Sequence, residues 1–187
     1  KEFPENGVLG FDGRVVSMGD GKAYKEIVDK KHGKIIYDYD LIDAIWEDRP
    51  ALSTEPVFGL EEKYTGESVE SKFARIREEM KKAGTTEHVL TTLDDICWTL
   101  NIRGNDIDFF PLLLSYMVIT MDKADLYVDE NKFSAELRGK LEKDGVVFHP
   151  YNAIYEDIKS VNAEASLLID PVRLNYALYN NIPENVK

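Results

Sequence analysis

The residue types able to do chemistry are present in this sequence, but few are spaced to do it together. Three histidines occur in unrelated settings: His32 at the end of a predicted helix, His88 entering a predicted strand and His149 leaving one. None belongs to a His-Glu-x-x-His or comparable ligand pattern, so the spacing predicts no metal site in this chain. The acidic pairs Asp94-Asp95, Glu61-Glu62 and Glu78-Glu79 stand among 35 acidic residues and read as solvated faces and helix-start charges. There is no Gly-x-Ser-x-Gly, and the single cysteine, Cys97, neighbours Trp98 rather than a histidine, which predicts packing in place of nucleophilic attack. Gly19-Asp20-Gly21-Lys22 has the look of a phosphate loop, yet Ala23 stands where Ser or Thr would be needed. It reads as a turn and helix cap.

The informative stretch runs from Leu93-Asp94-Asp95-Ile96-Cys97-Trp98-Thr99-Leu100 into Asn101-Ile102-Arg103-Gly104-Asn105-Asp106-Ile107 and on to Pro111-Leu112-Leu113-Leu114-Ser115-Tyr116. A helix carrying a buried Trp delivers the chain into an Arg-Gly turn. Gly104 there permits either a positive φ or a close approach of backbone, and Asp106 stands where it can answer the charge of Arg103. By spacing alone this is a structural ion pair in a loop.

The elements that would hold this loop follow from periodicity. The first stretch reads as a strand from Gly7 to Phe11, a helix through Ala23, Tyr24, Ile27 and Val28 closed by Gly33, a strand from Lys34 to Tyr37 and a short helix from Asp40 to Trp46. Residues 1–46 would bury too little surface to be comfortable alone, and are expected to be the last part of a first domain. Between residues 47 and 67, Pro50, Pro56, Gly59 and Gly66 interrupt every period, which predicts an extended linker. Residues 68–187 form the expected second domain. It opens with a helix capped by Ser68 or Ser71, carrying Val69, Phe73, Ile76 and Met80 on one face and ending at Gly84. A strand from Glu87 to Thr92 and a helix capped by Asp94 or Asp95 follow. Then come a hairpin from Leu113 to Met121 and Asp125 to Val128, and alternating helices (135–143, 151–161, 172–179) and strands (146–149, 166–170). Strands alternating with helices predict an α/β fold with a mixed β-sheet flanked by helices.

Composition sets the outer bounds. The 187 residues are 43% apolar, enough for real cores, and the net charge of −12 opposes binding to a nucleic-acid backbone or an anionic membrane surface. The longest apolar run, around Pro111 to Ile119, is far short of the ~20 residues that span a bilayer. One cysteine excludes an intrachain disulfide and fits a reducing, cytoplasmic setting. The chain opens Lys1-Glu2-Phe3 without an initiator Met or a signal pattern, so it is expected to begin inside a longer polypeptide.

The run Leu93-Asp94-Asp95-Ile96-x-Trp98-x-Leu100-Asn101-Ile102-Arg103-Gly104-Asn105-Asp106-Ile107, followed by Pro111-x-x-x-Ser115-Tyr116, resembles the second domain of the three-domain Xaa-Pro aminopeptidases. Ile45-Trp46-Glu47-Asp48-Arg49-Pro50, Tyr64-Thr65-Gly66-Glu67-Ser68 and Lys72-x-x-x-Ile76-Arg77-x-x-Met80 resemble that family's interdomain linker and the helix that opens its second domain. One departure is Phe110 before Pro111, where the family usually has Asn. The resemblance implies the ribonuclease H-like topology of creatinase/prolidase amino-terminal domains. It implies a non-catalytic region that contributes scaffold, cleft restriction and homodimer contacts to a metallopeptidase releasing the first residue of peptides with proline second. It further implies a separate pita-bread catalytic domain holding two divalent metal ions, manganese being expected, and no cofactor within these residues. Asn101, Arg103, Gly104, Asp106 and Tyr116 are then the residues expected to face the substrate cleft. The alternatives are a stand-alone α/β binding or regulatory module, or part of a prolidase-like or creatinase-like hydrolase.

Overall fold

The computed structural model describes residues 3–186. In chain order its elements are β1 (Val8–Gly10), α1 (Met18–Asp29), β2 (Lys34–Ile36), β3 (Phe58–Gly59), α2 (Glu62–Thr65), α3 (Val69–Ala83), β4 (Glu87–Leu90), α4 (Leu93–Thr99) and β5 (Ile102–Arg103). They continue with β6 (Tyr116–Ile119), β7 (Ala124–Val128), α5 (Ala135–Lys143), β8 (Val146–Pro150), α6 (Ile154–Asp157), β9 (Leu167–Leu168) and α7 (Tyr176–Asn181). The fold is α/β with a mixed sheet flanked by helices. Two compact units share the chain: residues 3–51 with 170–183, and residues 52–169 with 184–186.

In the first unit β1 and β2 pair in parallel, Val8 opposite Lys34 and Gly10 opposite Ile36. The α1 helix starts where the Ser17 hydroxyl accepts from the Asp20 amide at 3.0 Å. The segment 170–183 belongs here, not to a second domain running unbroken from 68 to 187. Its chain is bonded through Met18 N to Leu174 O at 2.7 Å and Tyr176 N to Val16 O at 2.8 Å. The Tyr176 ring lies so close to Gly21 that a Cβ there would stand 2.1 Å from it, and Phe11 and Tyr37 pack on the same ring. A strip of aromatic surface thus recruits α7 from more than a hundred residues away in sequence. The expected helix from Asp40 to Trp46 is a series of turns instead. The Asp40 carboxylate accepts from the amides of Ile42 and Asp43 at 3.0 Å each, and seven residues are too few to propagate a helix without packing. Arg49, bonded to Asp40 at 2.7 Å, together with those amides holds its pKa down at about 2.

The second unit is built on a five-stranded sheet in the order β8-β7-β6-β4-β9. The β6–β7 pair is the antiparallel hairpin expected from sequence, Tyr116 opposite Tyr127 and Ile119 opposite Ala124. Strand β4 runs antiparallel to β6, while β8 and β9 add in parallel to β7 and β4. The α3 helix has the ends its sequence states: Ser68 Oγ accepts from Ser71 N at 3.2 Å, and Gly84 closes it at φ +70°. Its Phe73 and Met80 are buried with Ile96, Leu100, Met117, Ile119 and Leu126 in one apolar cluster.

Three expectations are corrected here. The linker is not wholly extended, because Val57 is buried in that cluster, β3 pairs with β5, and α2 follows. The α4 helix is capped by Thr92, whose hydroxyl donates to the Asp95 carboxylate, so the acidic residues lie inside the first turn, where they answer the helix dipole. Segment 151–161 is two short 3-10 turns around the four-residue α6.

Candidate functional site

The Asn101-to-Asp106 loop is fixed by the way α4 ends. A helix leaves its last carbonyls without partners. Here Lys72 Nζ donates to Trp98 O at 2.6 Å, and Arg103 Nη1 donates to Cys97 O at 3.3 Å and Ile102 O at 2.7 Å. Two cations therefore sit at the negative end of α4, where its dipole favours them. Asn101 follows the Leu100 cap in the left-handed region, φ +53°, which Asn tolerates better than most residues.

Asn101 is buried and has partners on every side. Its Oδ1 accepts from Lys72 Nζ at 2.6 Å, its Nδ2 donates to Glu67 O at 2.8 Å, and its carbonyl accepts from Leu60 N at 2.7 Å. Lys72 is only 1% exposed and lies 4.1 Å above the centre of the Trp98 ring. Burial pushes its pKa below the usual lysine range, against the pull of Glu67. Trp98 itself is not the buried anchor expected from sequence. It is 43% exposed, with Lys72 and Arg75 ranged over its ring.

Asp106 does not answer Arg103. It forms an ion pair with Lys132, both side chains almost wholly withdrawn from solvent, and its second oxygen accepts from Leu114 N at 2.8 Å. Arg103 is half-buried, and among the described residues no carboxylate forms an ion pair with it. Gly104 is needed for close approach rather than for φ: a Cβ would stand 2.8 Å from Leu112 O and 3.0 Å from Leu113 Cα. Asn101, Arg103, Gly104 and Asp106 thus belong to one short loop. Tyr116 does not join them. Its strand neighbours Met117 and Ile119 point into the apolar cluster, and alternation puts Tyr116 on the other face of the sheet. There it stacks on Tyr151, and its hydroxyl lies 3.0 Å from that of Tyr155. Burial pushes its pKa well above the ordinary tyrosine value.

Two buried lysines, Lys72 and Lys132, hold this loop and were not among the sequence candidates. For Lys72 a signal exists: it lies three residues after Val69 and four before Ile76, on the apolar stripe of α3, where a lysine must find carbonyls or rings. A second polar group surrounds a cavity of about 350 Å³ bordered by Glu87, Asp125, Tyr127, His149 and Asp157. His149 Nε2 lies 2.8 Å from Asp125 Oδ1, its ring stacks on Tyr127 at 4.9 Å, and Lys123 Nζ binds the same carboxylate at 2.8 Å. Burial, reinforced by the charge of Asp125, pushes the Glu87 pKa up. Among the described residues, no group of three or more His, Cys, Asp or Glu side chains is arranged to hold a metal ion. Among the described residues, no helix is long and apolar enough to cross a membrane.

Comparison with known proteins places this geometry in context. The family model described as the creatinase/prolidase N-terminal domain matches residues 48–187. Aminopeptidase P2 of Arabidopsis thaliana is 35% identical over 176 residues, covering 92% of this chain and 25% of that protein. Xaa-Pro aminopeptidase 1 of Dictyostelium discoideum is 37% identical over 182 residues, covering 92% of this chain and 29% of that protein. Among solved structures, an X-prolyl aminopeptidase from Caenorhabditis elegans, described as a cytosolic enzyme with a di-nuclear active site, superposes with a TM-score of 0.89. It is 31% identical and covers 96% of this chain, which spans 31% of that one. The chain thus spans less than a third of the length of each of these relatives.

Proposed function

The chain belongs to the creatinase/prolidase N-terminal domain family, and from that premise we propose that it is the non-catalytic amino-terminal region of a metallo-aminopeptidase releasing the first residue from Xaa-Pro peptides. One observation carries this reading. Proteins named aminopeptidase P2 and Xaa-Pro aminopeptidase 1 match 92% of the chain at 35–37% identity, yet the chain spans only 25–29% of their length. Bond-breaking is left to another part of the parent. That part holds two divalent ions, with manganese the proposed metal, in keeping with the di-nuclear site of the C. elegans enzyme. The chain contributes scaffold, a wall of the substrate cleft and contacts within a homodimer. Its setting is cytoplasmic, supported by the single cysteine and by the cytosolic relative. Within it, Asn101, Arg103, Gly104 and Asp106 form the cleft-facing loop: among the described residues no carboxylate pairs with the Arg103 guanidinium, and the other three hold the turn rigid. Tyr116, on the opposite sheet face, supports the scaffold.

The test is an assay of two proteins, the full-length product of the open reading frame and residues 1–187 alone, on an Xaa-Pro-Xaa peptide with and without added manganese. Release of the first residue by the full-length protein only is the expected result. Release by residues 1–187, or none by the metal-loaded full-length protein, would overturn the reading.

A further inference from the structure

Phe109 is a large apolar side chain left entirely in water, at 101% of its reference exposure, and Phe110 beside it is 62% exposed. The backbone that presents them is set against its own preference, because Phe109 stands at φ +68°, where a bulky side chain is strained. Nothing local relieves that strain through contact of the ring. The conformation is held by the closure of the tip and by the anchors at its base. Phe110 N bonds to Ile107 O at 3.1 Å and Gly104 N to Pro111 O at 3.3 Å, while Asp106 anchors the base through Leu114 N and the buried Lys132. A rigid hairpin tip that holds two aromatic rings outward is preorganised for a fixed apolar contact.

We infer that Phe109 and Phe110 dock into an apolar recess on the catalytic part of the parent polypeptide, beyond residue 187. This rests on the reading given under Proposed function. The relatives supply the argument for the occupant, since more than two thirds of each is sequence that this chain does not contain. At this tip a symmetric contact between two copies would set the exposed Asp108 beside the rings against its like charge, whereas homodimer contacts elsewhere on the chain would not. Asp108 and the net charge of −12 oppose an anionic membrane surface. A passing peptide substrate would be held as well by an unstrained, adaptable loop, whereas a permanent contact keeps the strained shape in use. Aromatic rings surrounded by polar residues are also the usual make-up of an interface centre.

Photocrosslinking in the full-length protein tests this. Phe109 is replaced by the photoreactive p-benzoylphenylalanine, which keeps the ring in place; the protein is irradiated with and without an Xaa-Pro-Xaa peptide, and the crosslinked fragments are mapped. The expected result is a crosslink within one chain from position 109 to residues beyond 187, unchanged by peptide. Crosslinks only to a second copy, to the peptide or within residues 3–186, or none at all, overturn the inference. As a companion, Phe109→Ser with Phe110→Ser should raise the rate of proteolytic cleavage just after residue 187 by about fivefold. An unchanged cleavage rate also counts against docking. The two readings fail separately: a full-length protein that hydrolyses Xaa-Pro peptides but gives no such crosslink rejects only the docking contact. One that crosslinks without hydrolysing rejects only the aminopeptidase assignment.

Discussion

Lys132 and Asp106 form an ion pair in which the lysine side chain is 4% exposed and the aspartate not at all. The contact ties the loop after β5 to the turn before α5. Lys132 also accepts, through its carbonyl, the amide of Val57 at 2.9 Å, so one residue secures two segments of the second unit. Because each charge is removed from water, the pair is held by mutual compensation more than by any surplus of attraction.

Truncating either partner leaves the other charge buried alone. Lys132→Met or Asp106→Asn is therefore expected to cost about 3–5 kcal/mol, and the double variant less than the sum of the two. Urea unfolding of the single and double variants measures this directly. Small, additive effects would show that water reaches the pair.

The Glu87 carboxylate gives a pH-dependent case of opposite character. Its pKa in the folded protein is raised by burial and by Asp125, so the folded state binds its proton more tightly than the unfolded state does. Stability from this group is fully present below the ordinary glutamate value and is lost as pH rises through the raised folded value. Glu87→Gln should accordingly raise the melting temperature at pH 7 and have a shrinking effect as pH falls toward 4.5. A melting temperature at pH 7 equal to or below that of the parent would contradict the assigned burial.

Much of this architecture is legible in the sequence for reasons that can be named. Ser68, Gly84 and the stripe Val69, Phe73, Ile76 and Met80 state the start, end and buried face of α3. The β6–β7 hairpin is written in an apolar run, a polar turn and a second apolar run. The Asn101-to-Asp106 loop stands out through its Arg-Gly turn. Its partners do not, because local spacing cannot show that Asp106 is met by Lys132, twenty-six residues on, or that Arg103 spends its donors on the carbonyls of Cys97 and Ile102. The placement of α7 escapes the sequence for the same reason. It follows from the fit of the Tyr176 ring against Gly21, a contact that no periodicity encodes. Trp98 misleads because a Trp on a short apolar helix suggests a core anchor, while here it is 43% exposed, with Lys72 and Arg75 over its ring.

Arg103 offers the sharpest test of the cleft assignment, because its two possible roles predict different losses. As a cap it donates from one nitrogen of its charged guanidinium to the carbonyls of Cys97 and Ile102, hydrogen bonds worth about 1.5–3 kcal/mol each. As a positioning residue it would present the rest of its fork, which no carboxylate among the described residues engages, to a carbonyl or carboxylate of the bound peptide. Gly104 and the buried Asn101 keep the turn from yielding, so removal of the side chain should leave the loop in place. On the aminopeptidase reading proposed above, Arg103→Ala in the full-length protein is expected to lower kcat/KM for an Xaa-Pro-Xaa peptide by about tenfold or more, equivalent to ~1.4 kcal/mol of transition-state stabilisation. The melting temperature should also fall, by the cost of the lost cap. Arg103→Lys should restore the stability but not the rate, since a point charge cannot reproduce the fork. If activity survives Arg103→Ala intact while the melting temperature falls, Arg103 serves only to close α4, and the cleft must be lined by other residues.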